Sequence, residues 1–598
     1  MSARDTTTVI AAAVVAIAAI LGGAFYPGPR VVVGVLMAVT LGCAAAFLEK
    51  RLGTEEWSVF GFIVWGVVAA VVAASAPLAA REVVAVWIVT WALWLIARRT
   101  RERSSLSGLI VLTTAAVILA LGVVLEAIGV GRMRVGGLLE NPNLTAALLV
   151  VTMPTLLVID GRRRWRWAAG AVIALGLLLT GSRAGLLAVL AAGAVILPRG
   201  RPRFLGLLTG TFGVTAVLIW RFVNQPDILA WFRPAIWFAV LRLWVAHPLA
   251  GVGPGGLVDA VGVERLLHAD HIGQRQFLIA YAESSPLAVL VQTGLVGLFI
   301  IVGALGLWWW GVRSRGGLSR PLAATLAAMA VIGAFHDLLT ADIVLWWWAL
   351  ALGFLEARAA PRAVAVGSPH DGLGLRAGRG LMLSFVVLWG LVQPAWARWL
   401  WRSEGPETAL VVRTTRAEPW YDAPLEWRAR DLLRNDLWSW YTAAEAVAVS
   451  ERAVRIHPGA ARIWSVNAMV HARVVADFGP WPDSVEDARK AFARAVELEP
   501  HQPWALLEWA RHERNLGLTD DAVELVRRAL DEEPHTVRAL LFLARLELDR
   551  GNTVAAREAF GTALESARLR ANPSLNAYER ELLSAPAWQF RELAEALR

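Results

Sequence analysis

The sequence predicts an all-α protein in two parts: a polytopic membrane helix bundle of about thirteen spans, then a water-soluble α-solenoid. Three observations predict it. The 598 residues are 57% hydrophobic with a mean hydropathy of +0.52, and the excess is gathered in blocks of roughly 14–26 residues, near the length that crosses ~30 Å of hydrocarbon as helix. Arginine clusters fall in alternate loops between those blocks. The last third of the chain repeats at a fixed interval of 34 residues.

The spans read as 8–26, 31–48, 58–75, 83–97, 107–130, 144–160, 167–180, 184–198, 204–220, 285–310, 321–335, 340–356 and 380–397. Trp87, Trp91, Trp94, Trp308 to Trp310 and Trp346 to Trp348 stand near block ends, where amphipathic rings suit a membrane interface. The first block follows Met-Ser-Ala-Arg-Asp without a clear small-residue cleavage site, so it reads as a retained helix rather than a signal peptide. Basic clusters occur at Arg98, Arg99, Arg101 and Arg103, at Arg162, Arg163, Arg164 and Arg166, at Arg199, Arg201 and Arg203, and again at Arg313, Arg315 and Arg320. Their alternation predicts a cytoplasmic N-terminus, an external loop at 221–284, and an external C-terminal part. The same loop arginines account for the net charge of +9, so nucleic acid is not an expected partner. The single cysteine, Cys43, permits no intramolecular disulfide.

Three segments follow: the bundle at 1–397, a Trp-rich connecting segment at 398–439, and a repeat domain at 440–598. In the repeats, Ala495, Ala529 and Ala563 recur at the 34-residue period, as do Pro500 and Pro534, Gly517 and Gly551, and Ala522 and Ala556. An earlier copy, at Ala453 and Pro458, is offset by an insertion around Phe478 to Pro482. Ala468, Ala510 and Ala544 each stand ten residues after their proline. This pattern resembles the tetratricopeptide repeat, a helix–turn–helix unit whose small residues let paired helices approach closely. The resemblance implies a surface for a protein or peptide partner, with a rigid structural cap as the other reading.

Ionisable residues near membrane depth are functional candidates. Several collect at the outer ends of the helices. They are Arg132 and Arg134 before Asn141-Pro142-Asn143, Arg183 in Gly181-Ser182-Arg183-Ala184-Gly185, and Arg233 four residues before Trp237. Further along come His247-Pro248-Leu249-Ala250-Gly251-Val252-Gly253-Pro254-Gly255, Glu283-Ser284 before Gly294 and Gly297, and His336-Asp337. In order and spacing, Asn141-Pro142-Asn143, Ser182-Arg183-Ala184-Gly185, Arg233 through Trp237 to the 247–255 segment, and Gly294 with Gly297 resemble the O-antigen ligase and O-antigen polymerase group of bacterial membrane glycosyltransferases, over roughly residues 60–355.

The resemblance implies a metal-independent glycosyltransferase without a cofactor, in the bacterial cytoplasmic membrane. It would move a glycan from a polyprenyl diphosphate carrier to an acceptor hydroxyl at the outer leaflet. The acceptor would be a lipid A core in lipopolysaccharide assembly, or another carrier-linked unit for a polymerase. Arginine suits a diphosphate, because its planar fork matches phosphate oxygens and stays charged. Arg183 and Arg233 are the expected diphosphate ligands, with Arg134, Arg265 or Arg275 as a third and Asn143 and His271 as further substrate contacts. The group usually carries His-Asn or His-Ser eleven residues before the glycine matching Gly294; here Glu283-Ser284 stands there. Glu283 is therefore the expected general base, with His271, His268 and Asp270 as substitutes. Gly251 to Gly256 lacks the Lys-Ser/Thr of a nucleotide loop and reads as a tight turn. His336 and Asp337 lack an evident third metal ligand. The competing class is a non-enzymatic membrane scaffold or a transporter. A transporter predicts an internal repeat of spans, and none is visible.

Overall fold

The computed structural model describes residues 3–22, 26–45, 52–73, 76–131, 134–159, 163–198, 200–224, 233–268, 271–276, 279–314, 318–339, 341–359, 373–403, 408–435, 438–479 and 482–598. Every regular element longer than one residue among them is helical. The chain divides into two compact units: Met1–Gly255 with Tyr281–Glu404, and Gly256–Ala280 with Gly405–Arg598. The boundary between the units falls inside the expected connecting segment, at 404/405. Part of the expected external loop, 256–280, belongs with the repeats.

The first unit is built from α1 (Ala3–Ile20), α2 (Pro27–Ala45), α3 (Thr54–Val72), α4 (Pro77–Arg98), α5 (Glu102–Val130), α6 (Pro142–Thr152), α7 (Arg163–Thr180), α8 (Arg183–Ile196), α9 (Arg201–Asn224) and α10 (Arg233–Ala246). It continues with α11 (Ser285–Ser314), α12 (Arg320–Phe335), α13 (Asp342–Ala359), α14 (Leu373–Val387) and α15 (Gln393–Ser403). The main pairings are α8 with α12, α4 with α13, α3 with α11, α2 with α14 and α1 with α5. Small residues set their closeness. A Cβ at Gly353 of α13 would lie 2.6 Å from the Cβ of Ala97 on α4, and one at Gly176 of α7 would lie 2.7 Å from that of Ala120 on α5.

Six helices among the described residues are long and apolar enough to cross a membrane, not about thirteen. They are Pro27–Ala45, Thr54–Val72, Pro77–Arg98, Glu102–Val130, Ser285–Ser314 and Ala377–Ser403. The expectation took each apolar block as a full span. Several of those blocks instead form helices of 10–17 residues, among them Pro142–Leu157, Arg183–Ile196 and Arg320–Phe335. Large apolar side chains point outward from the long helices, including Val71, Leu125, Phe299, Trp310 and Leu381, each roughly 70% exposed or more. Bare apolar surface on this scale signals an apolar surrounding or a partner.

Arg98 and Arg99 are not free loop cations. Arg98 is buried between Glu55 (3.3 Å), Glu56 (3.4 Å) and Glu356 (3.1 Å), and Arg99 pairs with Glu56. Trp94 and Trp308 each donate an indole N–H to Glu356 at 2.8 Å. A buried charge needs such partners, and here they tie the ends of α3, α4, α11 and α13 together.

The second unit carries α16 (Thr408–Ala417), α17 (Ala423–Leu433), α18 (Trp440–Ile456), α19 (Ala461–Phe478), α20 (Pro482–Leu498), α21 (Pro503–Asn515), α22 (Thr519–Glu532), α23 (Val537–Asp549), α24 (Thr553–Leu569), α25 (Ala577–Leu582) and α26 (Ala587–Ala596). The periodic alanines 468, 495, 510, 522, 529, 544, 556 and 563 are all fully buried where helices meet. Gly517 and Gly551 adopt φ of +83° and +77°. Each ends a helix whose carbonyls at Glu513 and Glu547 accept the N–H groups of Leu518 and Asn552 at 2.9 and 2.7 Å. Glu513 and Glu547 also recur at the period, and both are buried against arginine, Arg489 and Arg527 respectively.

Candidate active site

Local sequence explains how the first unit assembles its polar cluster. Ser182 caps α8 by accepting the Gly185 N–H at 3.3 Å, which sets Arg183 at the first helical position with its side chain exposed. Gly185 keeps the turn tight, since a Cβ there would lie 2.9 Å from Ala146. The Arg134 N–H bonds the Leu179 carbonyl at 2.9 Å, which holds the 134 segment beside the α7–α8 turn. Asn141 caps α6 by accepting from the Asn143 and Leu144 N–H groups at 3.0 and 3.3 Å. Asn143 therefore lies in the first turn of a short helix whose motif has a structural reason of its own.

Glu283 precedes α11 and holds φ at +53°, a strained value for a residue with a side chain and one that concentrates at functional sites. Ser285 fixes it there. Its hydroxyl donates to the His336 carbonyl at 2.7 Å and accepts the Leu338 N–H at 3.1 Å. Glu283 Oε2 accepts a bond from Arg233 Nη2 at 3.3 Å and lies 3.9 Å from His336 Nδ1. The Leu339 N–H reaches Asp337 at 3.2 Å.

The turn between α12 and α13, which carries His336 and Asp337, has unusual electrostatics. Burial, reinforced by the positive charges of Arg233 and Arg183, pushes the His336 imidazole down to about 3. Its Nε2 is buried and makes no hydrogen bond among the described residues. Burial pushes the Asp337 carboxyl up to about 6; backbone N–H groups of Leu339 and Ala282 oppose that rise and the Glu283 charge adds to it. Two guanidiniums thus act on a neutral imidazole that lies beside Glu283 and a carboxyl that ionises near neutrality. The field at His336 is positive, and Asp337 has the acidity of a general base.

Behind the cluster, α11 is broken at Gly294, where φ is +66° and ψ −171°. The freed backbone groups are taken up by the 247–255 segment. The Val252 N–H bonds the Val291 carbonyl at 2.8 Å and the Leu295 N–H bonds that of Pro248 at 2.9 Å. Trp65 donates to the Thr293 carbonyl at 2.8 Å, and Gln292 accepts the Gly255 N–H at 3.0 Å. Non-helical backbone at membrane depth requires this kind of satisfaction. A Cβ at Gly294 would lie 2.0 Å from the Leu249 carbonyl oxygen, so the glycine-rich segment is the mate of the helix break.

The structure therefore brings Arg183, Arg233 and Glu283 together and sets Arg134 against the turn that carries Arg183. His336 and Asp337, set aside in the sequence as an incomplete metal site, join the cluster instead. Their signal was an ionisable pair at an outer turn. Among the described residues no group of three His, Cys, Asp or Glu gathers to hold a metal ion. Arg132 and Asp270 lie outside the described residues.

Arg265, Arg275 and His271 belong to the second unit. Arg265 pairs with Glu499 at 3.4 Å and Arg275 with Glu532 at 3.2 Å. Each arginine also donates to the other's backbone carbonyl, at 3.1 and 3.0 Å. Buried Glu533 accepts the N–H groups of Gln274 and Arg275, both at 2.9 Å. Glu499 and Glu533 stand 34 residues apart, so consecutive inter-repeat turns hold this segment. His457, in an earlier turn, is held between Asp259 at 2.6 Å and Asp422 at 2.8 Å. These guanidiniums already have carboxylate partners within their own unit. His271 stacks on His268 with ring centroids 3.8 Å apart.

The tetratricopeptide repeat family model matches residues 516–572. No curated protein matches the chain in sequence. The crystal structure of MamA is 17% identical over 28% of this chain and 85% of its own, with a TM-score of 0.23. The MamA 41-end structure from Desulfovibrio magneticus is 15% identical over 30% of this chain and 96% of its own, with a TM-score of 0.25. A thermophilic TPR protein from Thermus thermophilus is 20% identical over 36% of this chain and 94% of its own, also at 0.25. The family match shows that the C-terminal part carries a tetratricopeptide repeat, a module that suits a protein partner.

Proposed function

We propose that the chain is a membrane glycosyltransferase that moves a glycan from a polyprenyl diphosphate carrier to an acceptor hydroxyl at the outer leaflet of a bacterial cytoplasmic membrane. The observation that carries this reading is the cluster of Arg183, Arg233 and Glu283 with His336 and Asp337. The arginines would bind the diphosphate and stabilise charge on it as the glycosidic bond breaks, where preorganised donors gain most. The Arg233–Glu283 pair is partly exposed, at 22% and 32%, so an arriving diphosphate exchanges a weak pair for stronger charge-assisted bonds. Glu283 or Asp337 would accept the hydroxyl proton. Transfer to a lipid A core is the preferred form, and polymerisation of carrier-linked units is the second. The scaffold reading gives no account of a strained glutamate beside two arginines and a buried imidazole.

Deletion of the gene in its native host, followed by analysis of surface glycan, tests the reading. Loss of attached glycan with accumulation of carrier-linked polymer is the expected result. Single attached units would mean a polymerase, and unchanged glycan would end the proposal.

A further inference from the structure

A large cavity lies in the first unit away from the residues of the polar cluster. It holds about 620 Å³ between α7, α8 and the 153–157 turn, and its walls are almost wholly apolar. Its lining on α7 runs from Arg163 through Arg166, Trp167 and Gly170 to Ala174. Eleven residue steps of helix span about 16 Å, the thickness of one leaflet of a ~30 Å hydrocarbon core. On α8, Gly193 and Ile196 line the facing wall. The cations stand only at one end. Neither Arg163 nor Arg166 has an ion-pair partner among the described residues, and Trp167 is 68% exposed beside them.

From this geometry we infer that the α7–α8 groove is a binding site for an anionic phospholipid of the cytoplasmic leaflet, with an acyl chain along the groove and the phosphate at Arg163 and Arg166. An apolar trough one leaflet deep fits a chain. Two guanidiniums without a carboxylate partner among the described residues fit a phosphodiester, and an exposed tryptophan marks the headgroup level. A water-filled cavity would need polar walls, and this one has almost none. The inference rests on the membrane reading and on the cytoplasmic placement of 163–166, but not on the proposed chemistry.

The test uses the full-length protein in nanodiscs of equal parts phosphatidylglycerol and phosphatidylcholine, followed by detergent release and native mass spectrometry of retained lipid. The wild type should retain phosphatidylglycerol selectively. The double variant R163Q/R166Q should lose about thirty-fold of that preference, about five-fold per cation at an anionic surface. G193L keeps both charges, and a Cβ at Gly193 meets nothing within 4 Å. It should fill the trough and abolish retention of either lipid. Excess inorganic phosphate should leave the bound lipid in place. Unchanged selectivity in R163Q/R166Q, unchanged retention in G193L, or complete displacement by phosphate would each overturn the site; the last would mark a free-anion site. A chain stripped from native membranes by carbonate defeats the membrane reading as well, whereas an inserted chain that retains no lipid defeats this inference alone.

Discussion

The two units each bring a pair of arginines to carboxylates, and the outcomes are opposite. In the bundle, Arg233 pairs with Glu283, and the charges of Arg233 and Arg183 add to burial in driving His336 down to about 3. In the repeat unit, Arg265 and Arg275 meet Glu499, Glu532 and Glu533. There, burial would lower His457, but Asp259 and Asp422 outweigh it and hold the imidazole up at about 9. Cations dominate the field at His336, and carboxylates dominate it at His457. An arginine fork suits an incoming anion where the surrounding field is positive.

The largest test of this contrast is Arg183→Ala. Removing one preorganised donor to developing charge costs about 100–1000-fold in turnover, so glycan transfer in reconstituted membranes should fall by that factor while insertion is retained. Arg183→Lys should also be impaired, because it keeps the charge and loses the fork. Full activity in the alanine variant would dissolve the distinction between the two arginine pairs.

Asp337 gives a second test, with a defined sign. Its carboxyl is raised to about 6, so the basic form fills as pH rises through that value. Transfer should climb through about pH 6 and then level, and Asp337→Asn should remove the climb and cost about 100-fold above it. His336 stays neutral above about pH 3 and contributes no limb in this window. Stability runs the other way. A raised carboxyl makes ionisation costly, so stability falls as pH rises from the ordinary carboxylate range through 6, and Asp337→Asn should remove that fall. A limb that survives in the variant assigns the proton to Glu283.

The sequence made the repeats legible because their alanines, prolines and glycines have one job each at one period, and all eight periodic alanines proved buried. Arg183, Arg233 and Glu283 stood out in it because charge is costly near an apolar span. It overcounted spans, because apolar composition does not record where a helix stops: the block at 184–198 gives fourteen residues of helix. It did not reveal the partners of Arg265 and Arg275, for a different reason. Their partners lie more than two hundred residues away, and no local pattern announces which carboxylates a loop will meet. His336 and Asp337 were visible, but their burial was not.

A smaller effect should appear at His457. Its folded value of about 9 lies above the ordinary 6.5, so its contribution is fully present below about pH 6.5 and is lost as pH rises through 9. Hydrogen exchange of the segment around Asp259 should quicken across that interval. His457→Gln should cost about 1–3 kcal/mol at neutral pH and leave no such transition. Constant protection up to about pH 10 would mean that the two aspartates do not hold a charged imidazole.

The smallest effect, and the sharpest comparison with Arg183→Ala, belongs to Arg275→Ala. The substitution removes the Glu532 contact at 3.2 Å and the bond to the Arg265 carbonyl. Glu532 keeps a partner, because His501 Nδ1 remains 2.8 Å from it, and the backbone N–H of residue 275 still serves Glu533. No buried charge is orphaned, so the loss should be about 1 kcal/mol, near the upper end for partly exposed pairs. It should be read as faster hydrogen exchange over 265–276. Glycan transfer should stay within about twofold, since a change of that size is under 0.5 kcal/mol in a barrier. If Arg275→Ala instead matched Arg183→Ala in lost transfer, the segment held by the repeats would be handling donor. The division of labour between the two arginine pairs would then fail at its clearest point.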